Sequence, residues 1–357
     1  MKQLKCHFYF IVFIFLITTN GVAQGLKTFT NPLLPAGADP WCTYKDGYYY
    51  YTHTTGKNIT IWKTRSMPEL KTAEKKVVFE PTGKGEFAKD FWAPEIHFLK
   101  GRWYIYFAAN GEKNTGHRLW VLENSSSDPL KGEWTMKGKL TTPDDKWSID
   151  CSVFENKGQL FAIWSGWEGN TNNQQNIYIA KMKNPWTIEG ARTKVSSPDL
   201  DWEKYGDLNK NDTPSHVNVN EGPEILKHQN DVFLIYSASG CWTDYYALGE
   251  LKASINSDLL NANSWTKKLT PIFKQSKENK VYAPGHNSFF KSPDGKQDFI
   301  LYHANDAPGE GCGQHRSPRA QQFTWDKYGE PIFGIPVKKG QQILLPSGTN
   351  LVSKNKN

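Results

Sequence analysis

The chain has 357 residues, 38% hydrophobic and 22% charged, a balance that excludes a disordered chain and suits one large core or two ordinary ones. Its 14 Trp, 16 Tyr and 19 Phe favour β structure or a face that stacks flat ligands such as sugar rings. The formal charge of +7 is mild and no Lys/Arg block interleaves with aromatics, which argues against a nucleic-acid partner.

Residues 1–23 open with Lys2 and Lys5, continue through "FYFIVFIFLI" and reach Gly21 and Ala23, small residues of the kind a signal peptidase favours. The apolar run is short for a membrane span, so the sequence predicts a cleaved leader, a secreted or periplasmic mature chain and no membrane association after removal. No Cys follows the cleavage site, which argues against a lipid anchor. Loss of Lys2 and Lys5 takes the formal charge from +7 to +5. Cys6 leaves with the leader; Cys42, Cys151, Cys241 and Cys312 remain in a compartment where disulfides form, with three possible pairings. No CxxC or HExxH supports a zinc site, and "GEGCGQ" at 309–314, with no helical pattern after it, reads as a glycine-rich loop.

Five similar segments then follow: "GADPWCTYKDGYYYYTH", "WAPEIHFLKGRWYIYFAAN", "SIDCSVFENKGQLFAIWSG", "NEGPEILKHQNDVFLIYSASG" and "APGHNSFFKSPDGKQDFILYHAN". Each runs from a polar residue through a short apolar stretch and a hairpin turn into an aromatic or β-branched strand. With Asp39, Glu95, Asp150, Glu221 and His286 as markers, the spacings are 56, 55, 71 and 65 residues. Further strand signals between the markers give about four strands per unit, so the prediction is an all-β, five-bladed β-propeller. A single β-sandwich or a pair of β domains is the competing arrangement, and the repeat argues against it. No linker divides the chain, so residues 24–357 are read as one domain, frayed at "LVSKNKN".

In a propeller the first strand of each unit lines a central channel, so the markers converge. Packing alone would tolerate Val or Ala there, whereas this chain places Asp39, Asp150 and Glu221 in the channel, with Glu95 and His286 nearby. Crowded carboxyls shift one another's pKa values and cost stability, the mark of a site more than of a core. Two carboxyls flanking a glycosidic bond divide hydrolysis between them, and separation across a channel leaves room for the water of an inverting displacement. Trp92 and Trp164 are candidate sugar platforms.

Together, "ADPWC", "WAPEIHFLKGRWYIYFAA", "SIDCSVFE", "NEGPEIL", "APGHNSFF" and "HRSPRAQQFTWDKYGEPIFGIP" resemble glycoside hydrolase family 43, secreted five-bladed propellers acting on arabinose and xylose polymers. The resemblance covers nearly the whole mature chain. It implies Asp39 as general base, Glu221 as general acid and Asp150 as the group that raises the pKa of Glu221 and orients it; Glu224 is set aside as structural. It also implies His286 as the channel histidine, holding a water or a Ca or Na ion, with no cofactor required for the reaction. Arg319 matches the arginine that reaches the substrate, with Arg316 the local alternative. Cys241 and Cys312 lie at similar offsets in the fourth and fifth units, a spacing that allows them to pair. The strings look most like exo-acting α-L-arabinofuranosidases, with arabinan, arabinoxylan or derived oligosaccharides as substrates. β-Xylosidase, endo-arabinanase and a non-catalytic carbohydrate-binding propeller are the alternatives.

Overall fold

The structure, a computed structural model, describes residues 27–349 apart from residue 82; the expected leader and the closing "LVSKNKN" lie outside the described residues. After a short β1 (Thr28–Phe29), β2 (Ala38–Lys45), β3 (Tyr48–Thr54), β4 (Ile59–Thr64) and β5 (Glu74–Phe79) form an antiparallel run in sequence order. The next run is β6 (Lys89–Leu99), β7 (Arg102–Asn110), β8 (Arg118–Asn124) and β9 (Thr135–Leu140).

The pattern recurs in β10 (Ser148–Asn156), β11 (Gln159–Trp167), β12 (Gln174–Asn184) and β13 (Thr187–Ser196), and again in β14 (Asn218–His228), β15 (Asp231–Ala238), β16 (Ala247–Ser254) and β17 (Thr266–Lys267). These eight strands form one sheet, because Gln174 and Gln175 pair in parallel with Asn218 and Val219. A last run takes β18 (Tyr282–Lys291), β19 (Asp298–Asn305), β20 (Ser317–Trp325) and β21 (Pro331–Ile332), and β22 (Ile343–Leu344) returns to pair with β1. The fold is all-β, and its described helices are short 3-10 turns. None of them is long and apolar enough to cross a membrane.

The dense aromatic strands of the sequence become the middle strands of these runs. From Trp103 to Asn110 every residue is buried, and the same holds for Val232–Ala238 and Phe299–Asn305. Such strands are apolar on both faces because each sheet packs against another on either side. One buried cluster joins Tyr50 and Ile61 to Trp103 and Ile105, and the next joins Tyr104 and Tyr106 to Val153 and Ala162. Ile163 and Ile179 meet Leu234 and Tyr236, Ile235 and Leu248 meet Ile300 and Tyr302, and Phe299 and Leu301 meet Tyr49 and Tyr51. The leading strands β2, β6, β10, β14 and β18 share no described ladder with one another. Side chains join them instead: Trp41 Nε1 donates to the Ile96 carbonyl at 2.9 Å, and Ser288 Oγ to the Pro40 carbonyl at 2.9 Å.

Cys241 and Cys312 form a disulfide, and Cys42 and Cys151 are buried free thiols.

Candidate active site

Each leading strand breaks its ladder at one equivalent place. Two residues oppose one at Asp39–Pro40, Ala93–Pro94, Asp150–Cys151, Gly222–Pro223 and His286–Asn287. The first residue of each bulge is left-handed, with φ of 56° at Asp39, 42° at Ala93, 57° at Asp150, 53° at Gly222 and 49° at His286. Asp tolerates this region better than most residues. At Gly222 the left-handed backbone favours glycine, and a Cβ there would crowd the His286 ring at 3.2 Å.

This geometry corrects the register read from the sequence. Asp39, Asp150 and His286 are equivalent, but Glu95 lies two residues after its bulge position and Glu221 one before. A bulge absorbs an extra residue without changing the hydrophobic pattern, so counting between acids misaligns the units. Glu221 instead shares its place with Trp92, and both reach the same cavity.

That cavity, about 600 Å³, is lined by Asp39, Asp150, Glu221, His286, Trp92 and Arg316 among others. Asp39 Oδ1 accepts from Arg316 Nη1 at 3.1 Å and lies 3.2 Å from His286 Nδ1, while Oδ2 accepts from Thr54 Oγ1 at 2.5 Å. Its backbone N–H donates to His303 Nδ1 at 3.1 Å. Burial pushes the Asp39 carboxyl up, but His286 and Arg316, helped by His303 and the Thr54 hydroxyl, more than offset it and hold the group well below the usual carboxylate range. Arg316 is the permanent cation of this set. Burial lowers the His286 pKa, so near neutral pH it serves Asp39 as a donor.

Asp150 meets the opposite surroundings. Burial, then the Glu221 and Asp39 carboxylates, push it far above the usual range, against one N–H from Gly222 at 3.0 Å. Glu221 accepts the Tyr246 hydroxyl at 2.8 Å, and burial pushes it up to about 7. One cavity therefore holds an ionised carboxylate and two carboxyls that retain protons, the division an acid/base pair needs.

The sequence model of glycosyl hydrolases family 43 matches residues 29–331. The chain belongs to that family. An extracellular exo-alpha-(1->5)-L-arabinofuranosidase of Streptomyces avermitilis is 41% identical over 321 residues, 88% of this chain and 64% of that protein. The chain thus spans just under two thirds of that relative's length. A protein of the same name from Streptomyces chartreusis is 36% identical over 77% of this chain and 82% of its own. The crystal structure of an alpha-L-arabinofuranosidase from Lactobacillus brevis superposes with a TM-score of 0.79 at 34% identity, covering 88% of this chain and 98% of that one.

In this family 43 chain, not every expected binding residue faces the cavity. Trp92 lines it and stacks on His117 at 4.0 Å between ring centres. Trp164 does not: it packs in the core against Tyr178, because its place opposite the Asp150 bulge turns it between sheets. Arg319 is also corrected. It is fully buried and paired with Asp306, while Arg316, three residues earlier, reaches Asp39. Arg319 lies within β20, whereas Arg316 stands just before it and turns toward the cavity. Thr54, Tyr246, Trp147 and Trp242 were not anticipated. Thr54 was findable as the hairpin partner of Ala38, next to Asp39; Tyr246 carries no local signal.

Proposed function

We propose that the protein is a secreted exo-acting α-L-arabinofuranosidase that removes terminal arabinofuranosyl residues from arabinan, arabinoxylan or derived oligosaccharides by inverting hydrolysis. The observation that carries this reading is the opposite tuning of Asp39 and Glu221 within one cavity. Asp39 takes a proton from a water whose oxygen attacks the anomeric carbon. Glu221 gives its proton to the glycosidic oxygen as the C–O bond breaks; burial and the Asp39 charge raise its pKa, and Asp150, accepting the N–H of the adjacent Gly222, helps hold it in place. Trp92 and His286 line the sugar's place, and Trp92 offers an aromatic edge for it.

We also propose that the scaffold is a five-bladed propeller. The support is the set of buried clusters, each bridging one four-strand run to the next and the last run to the first. Secretion is supported by the leader pattern and by relatives whose names call them extracellular.

An axial Ca or Na ion at His286 has one described donor cluster to draw on, in which one ligand atom each of Asp150, Glu221 and His286 lie within 4.8 Å of one another. The spacing suits a cation, but the chemistry does not. A hard cation there would remove the proton that Glu221 must donate, so no step is routed through a metal.

The test pairs 4-nitrophenyl α-L-arabinofuranoside with the β-D-xyloside and follows the first anomer released from an arabino-oligosaccharide by NMR. Preferential arabinoside cleavage with inversion is expected, with the oligosaccharide reaction lost in Glu221→Gln. Xyloside preference, retention, or a Glu221→Gln enzyme as active as wild type on the oligosaccharide would each overturn the corresponding part of the proposal.

A further inference from the structure

The loop between β15 and β16, residues 239–246, reaches the cavity but takes no part in the acid/base reaction. It begins two residues past Ser237, which faces Glu221 across the β14–β15 ladder, and it ends at Tyr246, whose hydroxyl donates to Glu221 at 2.8 Å. Both ends of the loop therefore stand at the general acid. Between them, Cys241 and Trp242 line the cavity.

Trp242 is held as a flat shelf. Its Nε1–H donates to the Asp207 carbonyl at 2.9 Å. A Cβ on Gly240 would fall 2.3 Å from Cε2 and 2.7 Å from Cδ2 of the indole. These are the ring-fusion carbons, which another atom can approach so closely only through a face, so one face of the indole lies on the bare backbone of Gly240. Gly240 is itself fixed: its N–H donates to the Tyr205 carbonyl at 2.7 Å, and its carbonyl accepts the Thr243 N–H and hydroxyl, both at 2.9 Å. The Cys241–Cys312 disulfide and a hydrogen bond from Gly309 N–H to Asp244 Oδ1 at 2.8 Å tie the loop to the segment before β20.

Among the described residues no ring or cation packs on Trp242, whereas Tyr245 in the same loop is stacked on Tyr205 at 4.0 Å between ring centres. Trp242 is partly exposed, and the indole face turned away from Gly240 is free to take a ligand in the cavity. An aromatic face suits the C–H face of a sugar ring, and one already immobilised loses little freedom when the sugar arrives.

The direction of the reaction says which sugar. Glu221 gives its proton to the glycosidic oxygen, so the departing sugar lies on the Glu221 side and the attacking water on the Asp39 side. We propose that Trp242 is a specificity-determining platform for the departing sugar, the unit joined to the removed arabinofuranose through the bond that is cut. The proposal rests on the hydrolase reading above and deepens it, because it makes the enzyme favour a sugar over a small group as the leaving partner.

Arabinobiose and methyl α-L-arabinofuranoside separate this role from a structural one, since both need Glu221 and only the first brings a second ring to Trp242. Trp242→Ala is expected to lower the ratio of kcat/KM on arabinobiose to kcat/KM on the methyl glycoside about tenfold, chiefly by raising KM for arabinobiose. Gly240→Ala keeps the tryptophan but pushes its ring off its seat, so it is expected to lower the same ratio and carries the test if Trp242→Ala does not fold. Trp242→Phe, which keeps an aromatic face, is expected to restore most of the ratio. A ratio within twofold of wild type in Trp242→Ala, including one in which both substrates lose equally, overturns the proposal. If wild type cleaves neither glycoside, the hydrolase reading fails by itself, and calorimetric titration of wild type and Trp242→Ala with arabinotriose tests the platform alone. Binding about tenfold weaker in the variant sustains it, and equal or absent binding overturns it.

Discussion

Asp39 and Asp150 are the same residue at the same bulge position, with nearly the same backbone, φ 56° and 57°, yet they hold opposite charge states. β2 brings its carboxyl against Arg316, His286 and Thr54, and β10 brings its own against Glu221, with the Gly222 N–H and a smaller effect of Arg316 in support. The scaffold therefore sets where the carboxyls stand, and the neighbouring units decide which keeps its proton. Mutations at those neighbours sharpen the comparison; mutations at the carboxyls break it.

The largest effects belong to the reacting groups. Asp39→Asn is expected to lower kcat by about 10²–10⁴-fold on oligosaccharides and on 4-nitrophenyl arabinofuranoside alike, because both need the water activated. Glu221→Gln is expected to match that loss on oligosaccharides but to spare much of the activity on the aryl glycoside, whose leaving group departs without a proton. Equal losses on both substrates would remove the assigned difference between base and acid.

A smaller effect follows from the cation that holds Asp39 down. Arg316→Gln removes the group that favours the charged form, so the Asp39 pKa rises and the acid limb of kcat/KM moves to higher pH, with roughly tenfold lower activity near pH 5. An unmoved acid limb would show that another group carries it. In the wild type the alkaline limb is expected near pH 7, where Glu221 loses its proton. Tyr246→Phe deletes a hydrogen bond that favours ionised Glu221, so this limb moves up in pH with only a few-fold change in the plateau.

The smallest expected effect is on stability. Glu221 and Glu224 rise from an ordinary 4.5 to about 7 and about 8 in the fold, so the folded state binds more protons than the unfolded chain between those values. Their contribution is present below about pH 4.5, fades as pH rises through about 7 and 8, and is reduced in Glu224→Gln. Asp39 has the opposite sign, but its loss lies below its ordinary 3.8, outside this window. Scanning calorimetry of wild type and Glu224→Gln from about pH 7 to about 8.5, above the ordinary range of the buried histidines, checks the slope, and a wild-type melting temperature that falls no more steeply than that of Glu224→Gln would contradict it.

Much of this is legible in the sequence. The hairpin turns and aromatic strands give the all-β repeat, and the acids near "ADP", "SID" and "EGP" reach one cavity because each leads a strand toward it. What stayed hidden is what periodicity cannot encode. The sequence does not mark which residue a bulge absorbs, so Glu95 and Glu221 were set in line with Asp39 when they flank the bulge positions instead. Nor does it mark where β20 begins, so Arg319, buried within the strand, stands in the reading where Arg316, just before it, reaches Asp39. Trp164 belongs to an alternation that the local string does not orient, and Tyr246 meets Glu221 only through the folding of β15 and β16 beside β14.

The disulfide pairs Cys241 with Cys312, and both line the cavity rather than the core. The staple therefore secures the doorway, not the house. Chain matured in a reducing compartment would keep Cys42 and Cys151 buried among its packed sheets, yet the rim around the sugar would lose its tie. For this protein, oxidative maturation is less a condition of folding than a finishing step on the binding surface, and a preparation can be well folded and still have a slack mouth.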